Sequence, residues 1–430
     1  MNQVVSGALS GTLGIIPSKS AAHRAVILAA LAQGETIIEP LQLSEDISAT
    51  LSCAQQLGLT RGCASAPIAP GFVRMRIMGR ARNEGTRNVR TLDCGESGST
   101  LRFMLPLALD GRGPVRFIGR GRLMQRPLSV YEDLFKAQGM SWQLRSNELT
   151  VDGQLNPGHY SLPGDISSQF FTGLLLALPA LKEDSEIECL SPLESRSYLE
   201  LTRKAQAKFG IRSDWAQDGQ HLIIPGRQQP RSPGSVHLEG DWSHAAFYLV
   251  AGAIGDQGIT LTGLDFDTTQ GDMIILSFLR EMGANISVAE NFVSVYPSRL
   301  HGITADVSQC PDLVPALAVA MAAAGGESRI IGAARLRLKE SDRLRAMAMA
   351  LQALHAVCFE EDDGLVIQGG LRLSGGTVDG CHDHRIVMAA AIAAALARDP
   401  VTITDAECVA KSAPAFWEEF TRLGGIIHEG

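Results

Sequence analysis

Six stretches of the chain are apolar on nearly every helical face, and a short polar segment introduces each: KSAAHRAVILAALA from Lys19, SGSTLRFMLPLAL from Ser97, DISSQFFTGLLLAL from Asp165, DWSHAAFYLVAGAI from Asp241, PDLVPALAVAMAAA from Pro311 and DHRIVMAAAIAAAL from Asp383. A helix apolar on all sides predicts burial at the centre of a domain. The starts recur at intervals of roughly 70 residues, the regularity of a duplicated supersecondary unit. After each helix comes a short run of β-formers, ETIIEP, PVRFIG, SEIECL, GITLTG, SRIIGA and PVTITD, followed by a second, amphipathic helix. Five of the second helices end at Gly58, Gly139, Gly210, Gly283 and Gly424, where a left-handed C-terminal cap is expected; His355 takes that place in the fifth unit. Alternating apolar residues flank turn residues in SWQLRSNELTVDG and ANISVAENFVSVYP, which predicts closing hairpins. The pattern as a whole predicts six βαβαββ units.

At 430 residues the chain exceeds what one hydrophobic core serves, and six units divide into two groups of three. Two similar α/β domains follow, with a boundary near GSVHLEG around residue 237. The strand in GALSGTLGIIP is expected to pair with the second domain. That gives an N-terminal domain of residues 18–237 and a discontinuous C-terminal domain of 1–17 plus 238–430, with PGRQQPRSPGS (225–235) the one loosened stretch.

Composition narrows the chemistry. A formal net charge of −8 offers nucleic acid and anionic membranes no general attraction, so an anionic ligand has to be held by a local basic cluster. The opening MNQVVSGALSG lacks a basic start and long apolar run, and the longest apolar run, 387–397, is too short to span a bilayer; a cytoplasmic protein is expected. Eight scattered cysteines without a C-x-x-C pair predict reduced thiols. Cys381, His382 and His384 lie close together, but no further ligand pattern completes a metal site, and no metal is expected.

Candidate residues gather at the polar helix starts. If three such starts converge in each domain and the domains face one another, the cleft receives positive helix ends and open backbone amides, a receptacle for anions. PSKSAAHR (17–24) puts Lys19 and Ser20 at a helix start and Arg24 one turn on; the dipole disfavours cations there, so an anionic ligand explains them, as do two ordinary surface cations. CGESGSTLR (94–102) is a small, polar turn around Gly98 through which amides can approach a phosphate or carboxylate. GRLMQRP (121–127) supplies Arg122 and Arg126. Ser167, Ser168 and Gln169 suit an oxygen-rich ligand, or else Asp165 or Ser167 simply caps the helix. In LRLKESDRL (336–344), Lys339, Glu340 and Arg343 place a carboxylate between two cations, which fits either a salt-bridged helix start or a proton carrier beside an anion clamp. Asp312 opens the fifth buried helix, Arg385 the sixth, and Lys411 precedes the last helix. No dinucleotide or P-loop glycine motif is present.

The succession P-S-K-S-x-x-x-R, G-x-S-G-x-x-x-R, R-x-x-x-R-P, S-S-Q-F, S-x-x-Y, E-G-D, P-D, K-E-S-D-R, D-H-R and the late lysine resembles the EPSP synthase family of enolpyruvyl transferases over essentially the whole length. The resemblance implies an inside-out α/β barrel in each of two domains, an active site in the interdomain cleft, and transfer of the carboxyvinyl group of phosphoenolpyruvate to the 5-hydroxyl of shikimate 3-phosphate in aromatic amino acid biosynthesis, without metal or organic cofactor. It implies that Lys19, Ser20, Arg24, Ser167, Ser168, Gln169, Ser195, Tyr198, Asp312 and Lys339 bind shikimate 3-phosphate. Lys19, Gly98, Arg122, Gln169, Arg343, Arg385 and Lys411 would hold phosphoenolpyruvate, and Asp312, Glu340 and Lys19 would be catalytic. Gly98 implies room beside phosphoenolpyruvate and hence sensitivity to glyphosate. Arg335 and Glu96 stand where many members carry asparagine. Two readings compete: a UDP-N-acetylglucosamine enolpyruvyl transferase, disfavoured because 121–127 has no cysteine, and an inactive anion-binding homologue, disfavoured by the intact ionic set. A monomer acting on small molecules, with no nucleic acid or membrane partner, is expected.

Overall fold

The computed structural model describes residues 2–79, 89–370 and 372–429. The chain divides into two compact units: an N-terminal unit, Lys19–Leu238, and a C-terminal unit, Met1–Ser18 with Glu239–Gly430. The helices of the first are α1 (Lys19–Leu31), α2 (Glu45–Gln56), α3 (Gly98–Ala108), α4 (Ser129–Ala137), α5 (Ser168–Ala177) and α6 (Arg196–Lys208). Those of the second are α7 (Trp242–Ile254), α8 (Ile275–Glu281), α9 (Val314–Ala323), α10 (Arg343–Ala353), α11 (His384–Ala394) and α12 (Phe416–Arg422).

The odd-numbered helices are the six apolar stretches, and they are buried as the pattern predicts. Every residue of α11 and all of α7 up to Ala253 is buried. In the C-terminal unit α7, α9 and α11 pack on one another; in the N-terminal unit α3 lies against α5, and α1 against α6. The α3–α5 approach is close because residue 173 is glycine: a Cβ there would run into the Tyr131 hydroxyl and the Arg102 carbonyl. Phe103, Phe117, Phe135, Phe170 and Phe171 complete that core, each contributing roughly 1.5–3 kcal/mol by leaving water.

Among the described residues six four-stranded sheets wrap these helices, and all share one order. In the second repeat Arg90–Asp93 runs parallel to Val115–Ile118, which pairs antiparallel with Glu148–Asp152, and that in turn with Ser141–Arg145. Val115 and Phe117 lie opposite Val151 and Leu149 and turn inward, while Arg116 between them is exposed, the period of two expected of a sheet with one wet face. Three strands arrive from far along the chain. Ser235–His237 completes the sheet of Gly34–Leu41, Gly11–Gly14 completes that of Ile259–Thr262, and Gln3–Ser6 lies between Val401–Ile403 and Ile426–Glu429. The last of these, QVVS, is too short for its alternation to be seen in sequence.

The second helices all end alike. Gly58, Gly139, Gly210, Gly283 and Gly424 have φ of 73°, 78°, 76°, 92° and 103°, and His355 adopts 64° in the same place. The amide after each reaches back to the last helical turn, as Leu59 N–H does to the Ala54 carbonyl and Ala356 N–H to that of Leu351.

Candidate active site

In the C-terminal unit four helix starts meet through their side chains. Asp312 lies in the single turn Pro311–Leu313 that leads into α9. One of its carboxylate oxygens takes Arg343 Nη1 at 3.0 Å and Lys339 Nζ at 3.5 Å, and the other takes Arg385 Nη2 at 3.2 Å. Arg343, only 1 % exposed, also donates from Nη2 to Glu340 at 2.7 Å and from Nε to Asp383 at 2.9 Å. Arg385 donates to Ser243 Oγ on α7 at 2.9 Å. Five of the candidates, Asp312, Lys339, Glu340, Arg343 and Arg385, thus form one network. Lys411 is buried at the end of the turn Ala406–Lys411, which packs on α11.

The charges act on one another strongly. Burial alone would raise the Asp312 carboxyl, but Arg385, Lys339 and Arg343 outweigh it and hold Asp312 well below the usual carboxylate range. Burial lowers the Lys339 ammonium to about 8, with Asp312 opposing. Burial also disfavours the Arg343 cation, yet Asp383, Glu340 and Asp312 raise its proton affinity above the ordinary arginine value. Arg343 opens α10, where the helix dipole opposes a cation. The chain's own Asp383, buried and capping α11 through Arg385 N–H at 3.0 Å, compensates for it.

In the N-terminal unit the candidates fall into two adjoining groups. Lys19 at the start of α1 pairs with Asp46 of α2 at 3.0 Å. Arg24, buried one turn on, donates to the Ser20 carbonyl, to Thr202 Oγ1 at 2.8 Å, to Thr172 Oγ1 and to the Tyr198 carbonyl, with its guanidinium over the Phe103 ring. It therefore ties α1 to α5 and α6 and sets Ser20, Tyr198 and the buried Ser195 around one corner; Ser195 takes the left-handed conformation (φ 54°) just before α6. In the second group Ser167 caps α5 by accepting from Gln169 N–H, while Asp165 accepts from Ser191, which decides the capping question left open by spacing. The Gln169 side chain bridges Arg102 Nη1 at 2.7 Å and Ser99 Oγ at 2.9 Å. Ser168 is buried beside it. A Cβ on Gly98 would stand 2.5 Å from Arg126 Nη1 and 3.0 Å from Arg102 Nη1, so the space beside Gly98 belongs to two guanidinium groups. Arg122 is exposed at the head of the turn Leu123–Gln125, whereas Arg126 is buried.

Sequence reasoning left out Asp383, Arg102, Arg126, Asp46 and the threonines 172 and 202 as partners of the candidates. Their signal was present in part: Asp383 begins D-H-R and Arg102 ends the Gly98 motif, but nothing along the chain pairs them with Arg343 or Gln169. Arg335 is buried and donates to the Ser308 carbonyl. Burial raises the Cys94 and Cys408 thiols, which keeps them protonated and unreactive at neutral pH. His382 is exposed and pairs with Asp405, and among the described residues no group of three or more His, Cys, Asp or Glu side chains is arranged to hold a metal ion.

Two units of three βαβαββ repeats with charged and hydroxyl side chains at the buried helix starts define the enolpyruvyl transferase class; the fold is shared with the enolpyruvyl transferase NikO from Streptomyces tendae (17 % identity, TM-score 0.77, 99 % of this chain and 98 % of that one). It is also shared with EPSP synthase from Acinetobacter baumannii, at 25 % identity and a TM-score of 0.79 over the whole of both chains. Within that class the chain belongs to the EPSP synthase (3-phosphoshikimate 1-carboxyvinyltransferase) family, which matches residues 5–420. The 3-phosphoshikimate 1-carboxyvinyltransferases of Clostridium novyi and Clostridium kluyveri are each 44 % identical to it, the first over 99 % of this chain and 98 % of its own, the second over 98 % and 96 %.

Proposed function

We propose that the chain transfers the carboxyvinyl group of phosphoenolpyruvate to the 5-hydroxyl of shikimate 3-phosphate, releasing phosphate. The observation that carries this reading is the family match over residues 5–420 together with a carboxylate pair, Asp312 and Glu340, bonded to the same arginine. A proton added to the methylene carbon of phosphoenolpyruvate leaves C2 electron-poor; the 5-hydroxyl oxygen of shikimate 3-phosphate bonds to C2 and loses its proton. From that tetrahedral intermediate the C–O bond to phosphate breaks and the methyl group returns a proton, restoring the vinyl double bond. No electron is gained or lost, so no redox cofactor enters the balance.

In this reading Asp312 accepts the hydroxyl proton and Glu340, with Lys19, gives and later removes the methyl proton. Ser20, Arg24, Ser167, Ser168, Gln169, Ser195, Tyr198 and Lys339 hold shikimate 3-phosphate. Gly98, Arg122, Gln169, Arg343, Arg385 and Lys411 hold phosphoenolpyruvate, its carboxylate against Arg343 and Arg385 and its phosphate against Arg122 and Lys411. The ion pairs supply the coupling. A substrate carboxylate that takes the Nη atoms of Arg343 displaces Asp312 and Glu340, and Asp312 then loses one of the three cations that suppress its proton affinity, or two where the carboxylate also takes Arg385. Substrate binding itself thus prepares the base.

Phosphate release tests the reading: turnover is expected with phosphoenolpyruvate and shikimate 3-phosphate and none with UDP-N-acetylglucosamine in place of the latter. Asp312→Ala and Glu340→Ala are expected to lose about 10²–10⁴-fold in turnover while substrate affinity changes little. Near-normal turnover in either removes its role. Glyphosate is expected to inhibit competitively with phosphoenolpyruvate, and inhibition that phosphoenolpyruvate does not relieve would count against the arginine and Gly98 assignment. We place the enzyme in the cytoplasm as a monomer without metal; cell fractionation, sedimentation and an assay in a chelator check the three points. Among the described residues no helix is long and apolar enough to cross a membrane.

A further inference from the structure

Three hydroxyls and a histidine form a continuous buried chain that ties the helix starts of the N-terminal unit together. His23 Nδ1 of α1 lies 2.7 Å from Thr50 Oγ1 of α2, and Thr50 Oγ1 lies 2.7 Å from Thr100 Oγ1 of α3. Thr100 Oγ1 lies 2.8 Å from Oγ of Ser97, which caps α3. None of the four residues is more than 1 % exposed, so water does not stand in for a missing partner. His23 comes one turn after Lys19 and Ser97 immediately before Gly98, and α2 packs against both α1 and α3. The chain therefore joins two candidate residues that the sequence keeps far apart.

Its protons can be placed. Burial lowers His23 to about 3, so the ring is neutral and carries a single N–H. Its Nε2 is buried without a partner, which puts the proton on Nδ1, where Thr50 faces it. Thr50 then accepts from His23 and donates to Thr100 at 2.7 Å in preference to the Asp46 carbonyl at 3.1 Å. Thr100 donates in turn to Ser97, the Asp46 carbonyl standing 3.4 Å away. Ser97 Oγ also accepts the Thr100 N–H at 3.2 Å, so the cap before Gly98 is held by two bonds. Each hydroxyl accepts from one neighbour and donates to the next, the arrangement in which hydrogen bonds strengthen one another. Asp46 adds an anchor: its carboxylate pairs with Lys19 at 3.0 Å, while its carbonyl borders both threonine hydroxyls.

We propose that Thr50 and Thr100 are positioning residues for phosphoenolpyruvate. Through α2 they fix the distance between Lys19 and Gly98, and through Ser97 they fix the direction of the amides that open α3. Neither threonine touches the substrate. The inference rests on the proposed assignment of Lys19 and Gly98 to phosphoenolpyruvate. Thr202 provides a comparison within the same unit, because it holds Arg24 of the shikimate 3-phosphate corner instead.

Steady-state kinetics of the full chain with each substrate varied in turn tests this. Thr100→Val keeps the shape of the side chain and breaks the chain of hydroxyls; KM for phosphoenolpyruvate is expected to rise about tenfold while KM for shikimate 3-phosphate changes less than about twofold. Thr100→Ser keeps the hydroxyl and is expected to restore KM to within about threefold of the wild type. Thr202→Val should give the reverse split. Since the two threonines make one connection, the double variant Thr50→Val, Thr100→Val should raise KM for phosphoenolpyruvate little beyond either single change. Thermal melting follows the folded fraction throughout, and Thr50→Val, which cuts the same chain from α2, reads the split if Thr100→Val does not fold. An equal rise in both KM values, a lowered melting temperature with neither KM moved, or Thr100→Ser behaving as Thr100→Val overturns the proposal. Turnover in the wild type without the split in the variants removes the positioning role alone, whereas absence of turnover in the wild type removes the proposed function and this inference with it.

Discussion

In the C-terminal unit the arginines and lysine of the candidate site are set among carboxylates: Arg343 meets Asp312, Glu340 and Asp383, and Arg385 and Lys339 meet Asp312. In the N-terminal unit Arg24 is held by two threonine hydroxyls and two carbonyls, and Arg102 by an amide and a carbonyl. One fold, repeated three times in each unit, therefore presents its buried cations in two ways. A cation held by neutral groups keeps its full charge toward an arriving anion. A cation held by carboxylates has to release one of them before it takes an outside anion. On the proposed function the first arrangement suits binding of a phosphorylated hydroxy acid and the second suits proton transfer coupled to binding.

The contrast can be broken at its strongest point. Asp383→Asn keeps a capping side chain on α11 but removes the one carboxylate that meets Arg343 by two bonds, leaving a buried guanidinium undercompensated. A loss of about 3–5 kcal/mol in denaturant unfolding is expected. The corresponding change in the N-terminal unit, Thr202→Val, takes one neutral acceptor from Arg24 and should cost only about 1–3 kcal/mol. If the two losses are equal, the distinction between ionic and neutral support fails.

Acid sharpens it further, because the units should respond in different windows. Burial lowers His23 of α1 from 6.5 to about 3, with Asp46 opposing. Below pH 6.5 the unfolded chain binds a proton that the folded N-terminal unit refuses, so stability falls as pH drops from 6.5 towards 3, with a slope of up to about 1.4 kcal/mol per pH unit. Asp312 has the opposite origin and a later window. Its folded carboxyl lies well below the ordinary 3.8, so its contribution is complete above that pH and is lost only as pH falls further. Unfolding free energy measured from pH 7 to 4 should therefore decline in the wild type and decline less in His23→Gln, whereas Asp312→Asn should leave the slope in that range unchanged.

The smallest effect concerns the repeats themselves. His355 occupies the left-handed position that glycine fills in the other five second helices. His355→Gly should stabilise by about 0.5–1 kcal/mol, and Gly424→Ala should destabilise by a similar amount; thermal melts of the two variants check the sign.

The six buried helices, the six following strands, the glycine caps and the two hairpins were legible in the chain because each is fixed within a few residues by period, composition or positive φ. His355 is a fair test of that: the repeat, not the residue type, identified its conformation. The candidate clusters were legible as cations and carboxylates near helix starts, since a helix N-terminus is local information. The pairings were not. The dipole argument led from Lys19 and Arg24 to an external anion, and spacing set Arg343 against Glu340 and an anion alone; tertiary structure supplies Asp46 to Lys19 and Asp383 to Arg343 from 27 and 40 residues away. Equally, the space beside Gly98 belongs to Arg126 and Arg102. By itself, then, the sequence determined which segments are helix, strand and turn and which residue types stand at the helix starts. Which charge neutralises which, how deep each lies and so how strongly each holds its proton were decided only when strands such as Gln3–Ser6 and Ser235–His237 closed the sheets and brought distant repeats together, because Coulomb energy and desolvation depend on distance in space and not along the chain.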